Sequence, residues 1–397
     1  MNILLVTAMF PPIKTGTSFY SRNLADALYS RGHRITVVTL QNEEDDSEHH
    51  EYVVHRLPAI HIPFLSFFKH FRISSFYPGN YAILRRVARE CGAEVIILVN
   101  HYLDIAFPAI FASRSNRIPL ICSVGTQLQS SSPWNDRLLN FFDRQICGRL
   151  IFPFCERIVA WDKQILKYLA DVHGHNVIAK SVIVNFGVNG DPRTFLSHVH
   201  DYRLHNQILG IGSVLKQRSF VPLVRAFREL TEEFLDLRLK IIGHVYHDAA
   251  LQAATQLGIE ARVDFTGELP HEQVLEELKR SDIYYVSLTA KYLGLGTATT
   301  ESMLMGVPVV ANIPPDLLGT AVFKNMEDIV IAQDENTSNL ASQIRALLKN
   351  GELRRRIGQN GRNFVLENMT WEKVVTDFEA VLQSVANPNE PLIETDL

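Results

Sequence analysis

Short apolar, β-branched runs alternate with amphipathic stretches along nearly the whole chain, and the pattern occurs twice. In the first half the runs fall at residues 3–7, 35–40, 95–99, 120–124, 158–161 and 182–184. They are apolar on both faces, as strands buried in a parallel sheet are. A helix is expected between the first two. Thr17 or Ser18 can cap it, Tyr20, Leu24, Ala27 and Leu28 form its apolar face, and Gly32 stands at its stop. The second half repeats the theme, with strands expected at 208–212, 239–243, 263–266, 283–286, 307–311 and 329–332 and helices over 221–234, 272–279 and 299–305. Strand-helix alternation of this kind means parallel sheets with right-handed crossovers. The expected fold class is α/β: two doubly wound, Rossmann-like parallel-sheet domains facing across a cleft. Turn formers from Asn185 to Thr194 place the junction. The expected boundaries are 1–187 for a first domain and 188–370 for a second. Residues 371–397 are expected to form a helix returning to the first domain and then a polar tail. A chain of 397 residues is long enough for two such cores.

Composition narrows the classes. The formal net charge of -4 gives no basic excess, so no nucleic-acid partner is expected. Cys91, Cys122, Cys147 and Cys155 show no metal or disulfide spacing and read as reduced thiols. The opening apolar run of Ile3 to Val6 is too short for a signal segment, and no apolar stretch is long enough to span a membrane. A cytoplasmic chain is expected, with peripheral contact at the inner membrane surface left open. In doubly wound sheets ligands bind beyond the carboxyl ends of the strands, at the switch point. Two such domains can hold two substrates, which points to a transferase by fold analogy.

Two segments carry candidate chemistry. Gly294 and Gly296 open a short helix that Gly306 closes. The glycines let a phosphate approach the backbone, and Thr297, Ala298 and Thr299 offer N–H groups at a helix N-terminus. Glu301, about one turn in, repels phosphate but can accept hydrogen bonds from a neutral diol such as ribose. The alternative is a Gly-rich turn followed by an acid that merely favours the helix dipole. Gly210 and Gly212 end the first strand of the second half, with Lys216 and Arg218 following. That pairing of close backbone approach and countercharge suits a diphosphate, although such cations are also ordinary on a solvated loop.

The order of these segments resembles the glycosyltransferases of the GT-B fold, close to the retaining family 4 (glycosyl transferases group 1). The resemblance runs from Met1 to about Thr370. It rests on the opening strand, on Phe10 to Gly16, on the Gly32 to Val38 run, and on Arg157 to Asp162 and Val184 to Asn189. In the second half it rests on Gly212 with Arg218, Gly243, Val263 to Gly267, and Glu301 to Ala311. It implies that Gly16 approaches the donor phosphates and that Glu301 holds the ribose. It implies that Arg218, with Lys216, stabilises the leaving diphosphate. Gly267 and Leu269 would wall the base, Gly243 and Gly212 would belong to the same site, and Gly296 and Thr297 would contact phosphate. Three positions depart from the family pattern: Leu293 replaces the first glutamate of a two-glutamate motif, Ser213 replaces an arginine, and Gly125 replaces a histidine. Loss of one well-placed electrostatic group costs on the order of 100-fold in rate. His101 is a candidate catalytic substitute, with Thr126 and Gln127 beside it as further possibilities.

The resemblance implies retaining transfer from a nucleotide-sugar. Without an acidic pair of the DxD type at a strand end, no metal site is expected, and no cofactor beyond the donor. The acceptor would be a glycan or lipid-linked molecule in polysaccharide or glycolipid assembly. Residues 61–72 and 134–157 interleave aromatics with cations such as Lys69, Arg72, Arg137 and Arg144. These either rest on an anionic membrane or are helices covering the first core. Two other classes stay open: a nucleotide-sugar epimerase, and a non-catalytic relative that binds a nucleotide-sugar or partners another transferase.

Overall fold

The computed structural model describes residues 1–13, 15–42, 50–61, 72–102, 104–127, 133–188, 200–215, 219–288, 294–332 and 336–386. The chain divides into two compact units. Unit 1 comprises Met1–Gly187, Leu318–Thr320 and Trp371–Leu397, and unit 2 comprises Val188–Leu317 and Ala321–Thr370.

Unit 1 is built on β1 (Asn2–Thr7), β2 (Arg34–Leu40), β3 (Val53–Leu57), β6 (Val95–Val99), β7 (Leu120–Val124), β8 (Arg157–Ala160) and β9 (Ser181–Ile183), in the order β3-β2-β1-β6-β7-β8-β9. All neighbours are parallel, with Ile3 opposite Ile35 on one side and Val95 on the other. β4 (Ile60–His61) and β5 (Arg72–Ile73) form a separate antiparallel pair. The central strands are apolar on both faces because helices cover both; every residue of β6 and β7 is buried. The helices are α1 (Gly16–Ser30), α2 (Pro78–Glu90), α3 (Ala106–Asn116), α4 (Pro133–Phe142) and α5 (Lys163–His173). β3 escapes the apolar pattern because it is an edge strand with His55 and Arg56 in its middle.

The start of α1 corrects the sequence expectation. Thr15, not Thr17 or Ser18, is the cap: its backbone is extended and its hydroxyl accepts from the Ser18 amide at 3.2 Å. Thr17 and Ser18 are buried inside the helix instead, where a capping side chain cannot reach back to its own turn. Gly32 takes a φ of 87° just past the helix end, the left-handed stop the sequence implied.

Unit 2 has β10 (Gln207–Ile211), β11 (Arg238–Ile242), β12 (Val263–Gly267), β13 (Ile283–Ser287), β14 (Val309–Asn312) and β15 (Val330–Ile331), ordered β12-β11-β10-β13-β14-β15 and all parallel. Its helices are α6 (Val221–Leu230), α7 (Ala249–Gln256), α8 (His271–Lys279), α9 (Thr297–Leu304), α10 (Thr337–Lys349) and α11 (Gly351–Asn368). A single core runs from Phe220, Leu223 and Phe227 on α6 through Ile208, Leu239 and Ile241 to Leu340, Ile344 and Leu347 on α10. β14 begins later than its apolar run because Pro308 has no amide to donate, while its carbonyl accepts from Tyr284.

The last helix, α12 (Trp371–Ala386), belongs to unit 1. Its buried face is Val374, Val375, Phe378, Val381 and Leu382. Glu379 pairs with Arg31 at 2.8 Å and His33 at 3.1 Å, and the Trp371 ring fills the space a side chain at position 187 would need.

Candidate functional site

The switch point of the unit 2 sheet lies between β10 and β13, where the strand order reverses. At the carboxyl ends of β10, β11 and β12 stand Gly212, Gly243 and Gly267, with φ of 134°, 142° and 73°. They are knit backbone to backbone: the Gly212 amide donates to Ile242 and the Gly243 amide to Gly267, each at 2.8 Å. A Cβ on Gly243 would lie 2.4 Å from the Gly212 carbonyl oxygen, so only glycine fits there. A Cβ on Gly267 would meet nothing within 4 Å. The result is a side-chain-free row of backbone along the rim of the sheet. Ser213 and Leu269, next along the chain, are half-buried.

α9 opens after β13, the fourth strand of this unit. Its N-cap, Gly296, has φ 75° and supplies no capping side chain, and a Cβ there would meet nothing within 4 Å. Thr297 is the first helical residue; Gly294, just before, is half-buried. The hydroxyls of Thr299 and Thr300 bond back to Leu295 and Thr297 carbonyls, so neither caps the helix start. Amides at such a terminus are oriented for an acceptor. Glu301 sits one turn in and is 3% exposed. Its Oε1 lies 3.2 Å from Nε2 of His271, the first residue of α8, whose own side chain is 60% exposed. The Glu301 contact raises the His271 pKa above 6.5; partial burial opposes it and the Glu301 charge adds to it. A neighbouring histidine thirty residues away is not visible in sequence spacing, and this partner was missed. Lys216, Arg218 and Leu293 lie outside the described residues.

In unit 1, Gly16 is the first residue of α1, with open space where a Cβ would stand. The departure at Gly125 has a steric cause. A Cβ there would lie 2.3 Å from the Trp161 ring, so the indole fills the room a histidine would take. Trp161 is held by its Nε1 donating to Ser123 Oγ at 2.9 Å and by stacking on Tyr20, whose hydroxyl also meets Ser123 Oγ at 2.9 Å. The Gly125 amide donates to Asn100 Oδ1 at 3.1 Å, and Asn100 Nδ2 donates to Thr17 Oγ1 at 3.0 Å. Asn100 holds φ 63° just past β6, beside the reversal point of this sheet. Thr126 bonds the Gln127 carbonyl.

His101 is not placed as a surface catalytic group. It is completely buried, its Nε2 3.0 Å from Asp143 Oδ1 and 3.1 Å from the Tyr168 hydroxyl. Burial lowers its pKa and favours the neutral ring; the Asp143 contact opposes this. Asp143 in turn is held well below the usual carboxylate range: burial pushes it up, but hydrogen bonds from His101 and His173 and their charges outweigh that.

The strand orders and switch points define a protein of the doubly wound α/β class with two such sheets. The family model for glycosyl transferases group 1 matches residues 203–364, and that for Glycosyltransferase Family 4 matches residues 15–192. An uncharacterized glycosyltransferase of Methanocaldococcus jannaschii is 22% identical over 395 residues, 98% of this chain and 99% of its own length. A second one from that organism is 22% identical over 262 residues, 64% of this chain and 65% of its length. Among solved structures, Anabaena HepE in complex with UDP is similar in fold, with TM-score 0.67 and 16% identity over 97% of this chain and 100% of that one. The chain belongs to the glycosyltransferases of the GT-B fold.

Proposed function

We propose that the chain transfers a sugar from a nucleotide-sugar donor, with retention, to a glycan or lipid-linked acceptor in polysaccharide or glycolipid assembly. The observation that carries this is Glu301: a nearly buried carboxylate one turn into a helix whose glycine cap supplies no side chain to its first amides. Ribose hydroxyls would donate to Glu301, and the diphosphate would accept from the α9 amides and the backbone at Gly212 and Gly243. As the diphosphate leaves, positive charge develops at the anomeric carbon. The acceptor hydroxyl attacks from the same face and passes its proton to the leaving diphosphate oxygen, and the helix N-terminus stabilises the leaving oxygens. Arg218 and Lys216 would add countercharge, and Gly16 is a further proposed donor contact. No metal is required in that step. The relative HepE, solved with UDP, favours a uridine donor among the bases.

The acceptor side is proposed on unit 1. On α4, Trp134, Leu138 and Phe141 are 80%, 64% and 63% exposed, and Arg137 and Arg144 are exposed around them. That stripe suits the cytoplasmic surface of an anionic membrane carrying a lipid-linked acceptor. Among the described residues no helix is long and apolar enough to cross a membrane.

The test is a thermal-shift screen with UDP, GDP, ADP and their common sugars, followed by sugar release from each donor that binds. Binding without release for every donor would favour a second reading, a nucleotide-sugar-binding relative without transfer. The Trp161 ring in the place of a side chain at Gly125 motivates that reading. Absence of any shift would refute both.

A further inference from the structure

Four polar side chains from three separate segments converge in the interior of unit 1. His101 follows β6, Asp143 opens a π-helical turn, Asp143–Cys147, directly after α4, and Tyr168 and His173 lie on α5. The side chains of His101, Asp143 and His173 are 0%, 1% and 1% exposed. His101 Nε2 stands 3.0 Å from Asp143 Oδ1, and His173 Nε2 stands 3.4 Å from the same oxygen. The Tyr168 hydroxyl lies 3.1 Å from His101 Nε2 and 3.3 Å from His173 Nε2, and it donates to the other Asp143 oxygen. The ligand atoms of the two histidines and the aspartate all lie within 4.8 Å of one another.

We propose that His101, Asp143, His173 and Tyr168 form a buried structural site for a zinc-type divalent cation. Zinc bonds to imidazole nitrogen and carboxylate oxygen are about 2.0–2.2 Å, so neighbouring ligands of a tetrahedral site stand about 3.3 Å apart. The four measured separations between the ring nitrogens and their oxygen neighbours, 3.0 to 3.4 Å, bracket that edge. The donor set is two imidazoles and two oxygens, which suits zinc more than calcium or magnesium. A water-filled surface cluster would not hold this spacing, but here the walls are fixed. The Phe152 ring packs on both imidazoles, with centroids 4.9 and 4.8 Å away. Gly148 is also required: a Cβ there would come within 2.8 Å of His173 Nδ1. A π-helical turn is a costly local choice that recurs where a helix must aim a side chain, and this one begins at Asp143.

With the Tyr168 proton released to solvent as the ion binds, four protein ligands close the coordination sphere, so the ion would hold α4, α5 and the end of β6 together rather than meet substrate. This is separate from the donor reading in unit 2, and it leaves that step free of metal. His101 Nδ1 is buried without a partner, and a metal bound at Nε2 would leave a proton there unpaired. The alternative without metal places the protons on both Nε2 atoms, each donating to Asp143.

These two states differ in composition and in tautomer, and both can be measured on the full-length chain. The protein is purified in metal-free buffer and assayed by elemental mass spectrometry. The expected result is about one zinc per chain. Dipicolinate treatment should lower Tm by several degrees, and added Zn²⁺ should restore it. Replacement by Co²⁺ should give the visible absorption of a tetrahedral centre. The His173→Gln variant should lose the metal, and Tyr168→Phe, which keeps the ring, should weaken zinc binding by at least tenfold. If the histidine variant does not fold, the wild-type metal content and cobalt spectrum still decide. A chain with no stoichiometric metal, no change in Tm with Zn²⁺, Co²⁺ or Ni²⁺, and ring NMR shifts placing the proton of His101 on Nε2 would overturn the proposal.

Discussion

Glu301 is nearly buried while its partner His271 is mostly exposed, and this asymmetry makes the pair respond to pH. His271 has a raised pKa, so the stability it contributes is fully present below the ordinary value of 6.5 and fades as pH rises through the raised value. A ribose bound to Glu301 competes with that contact. Nucleotide affinity is therefore expected to increase from pH 6 to pH 8, and calorimetric titrations of His271→Asn should lose the slope. Glu301→Ala removes charged hydrogen bonds worth about 1.5–3 kcal/mol each, or roughly 10- to 150-fold in affinity. It should abolish the nucleotide-induced thermal shift while leaving the circular dichroism spectrum intact. An unchanged shift in this variant would end the ribose assignment. Gly125 offers a steric test. Gly125→Ala drives a methyl group into the Trp161 ring and should destabilise unit 1 by about 1–3 kcal/mol in a urea titration. In a Trp161→Ala background the Gly125→Ala penalty should largely disappear, whereas two additive penalties would show that the two sites are not coupled.

At the scale of elements, α4 and α12 face opposite demands. α12 buries Phe378 completely and is tied to α1 by Glu379. Phe378→Ala is expected to cost about 3–5 kcal/mol of unit 1 stability. The Glu379 ion pair, partly exposed, contributes far less. α4 instead leaves Trp134, Leu138 and Phe141 in water, an arrangement with no benefit to the isolated chain. Replacing all three by serine should leave the melting temperature within about a degree, since little burial is lost. The same variant should no longer sediment with vesicles containing anionic lipid. Retained sedimentation would remove the membrane reading. The second segment read in that way, residues 61–72, includes Arg72, which donates to Asn42 at 2.7 Å; its residues 62–71, Lys69 among them, lie outside the described part of the chain.

At the scale of the whole molecule, two separate cores mean that one unfolding transition is not assured, and a ligand of one unit stabilises that unit first. A nucleotide at 100 times its dissociation constant raises apparent stability by about 2.7 kcal/mol. Hydrogen exchange should show that protection at the ends of β10, β11 and β12 and in α8 and α9. Protection confined to unit 1 would contradict the donor assignment. Much of this organisation was legible in the order of residues. Buried parallel strands are continuous apolar runs, so β6 and β7 were read to the residue and the other expected strands within one or two, whereas the edge strand β3 and the β4-β5 pair were missed because they lack such a run. Gly212 and Gly296 were singled out as places for phosphate to approach the backbone, Gly243 and Gly267 entered through the resemblance, and positive φ disfavours a side chain at all four.

What spacing along the chain determined, then, was the buried strands of both sheets, their parallel pairing, several of the helices between them, and the glycines and acid of the candidate donor site. Those properties follow from local periodicity and from backbone geometry, which each short segment carries by itself. The tertiary structure alone decided which distant side chains meet. It put His271 on Glu301, Trp161 in the room beside Gly125, and His101 among Asp143, Tyr168 and His173. Such meetings depend on crossover connections that bring residues dozens of positions apart into hydrogen-bond or van der Waals contact, and no local pattern encodes that contact.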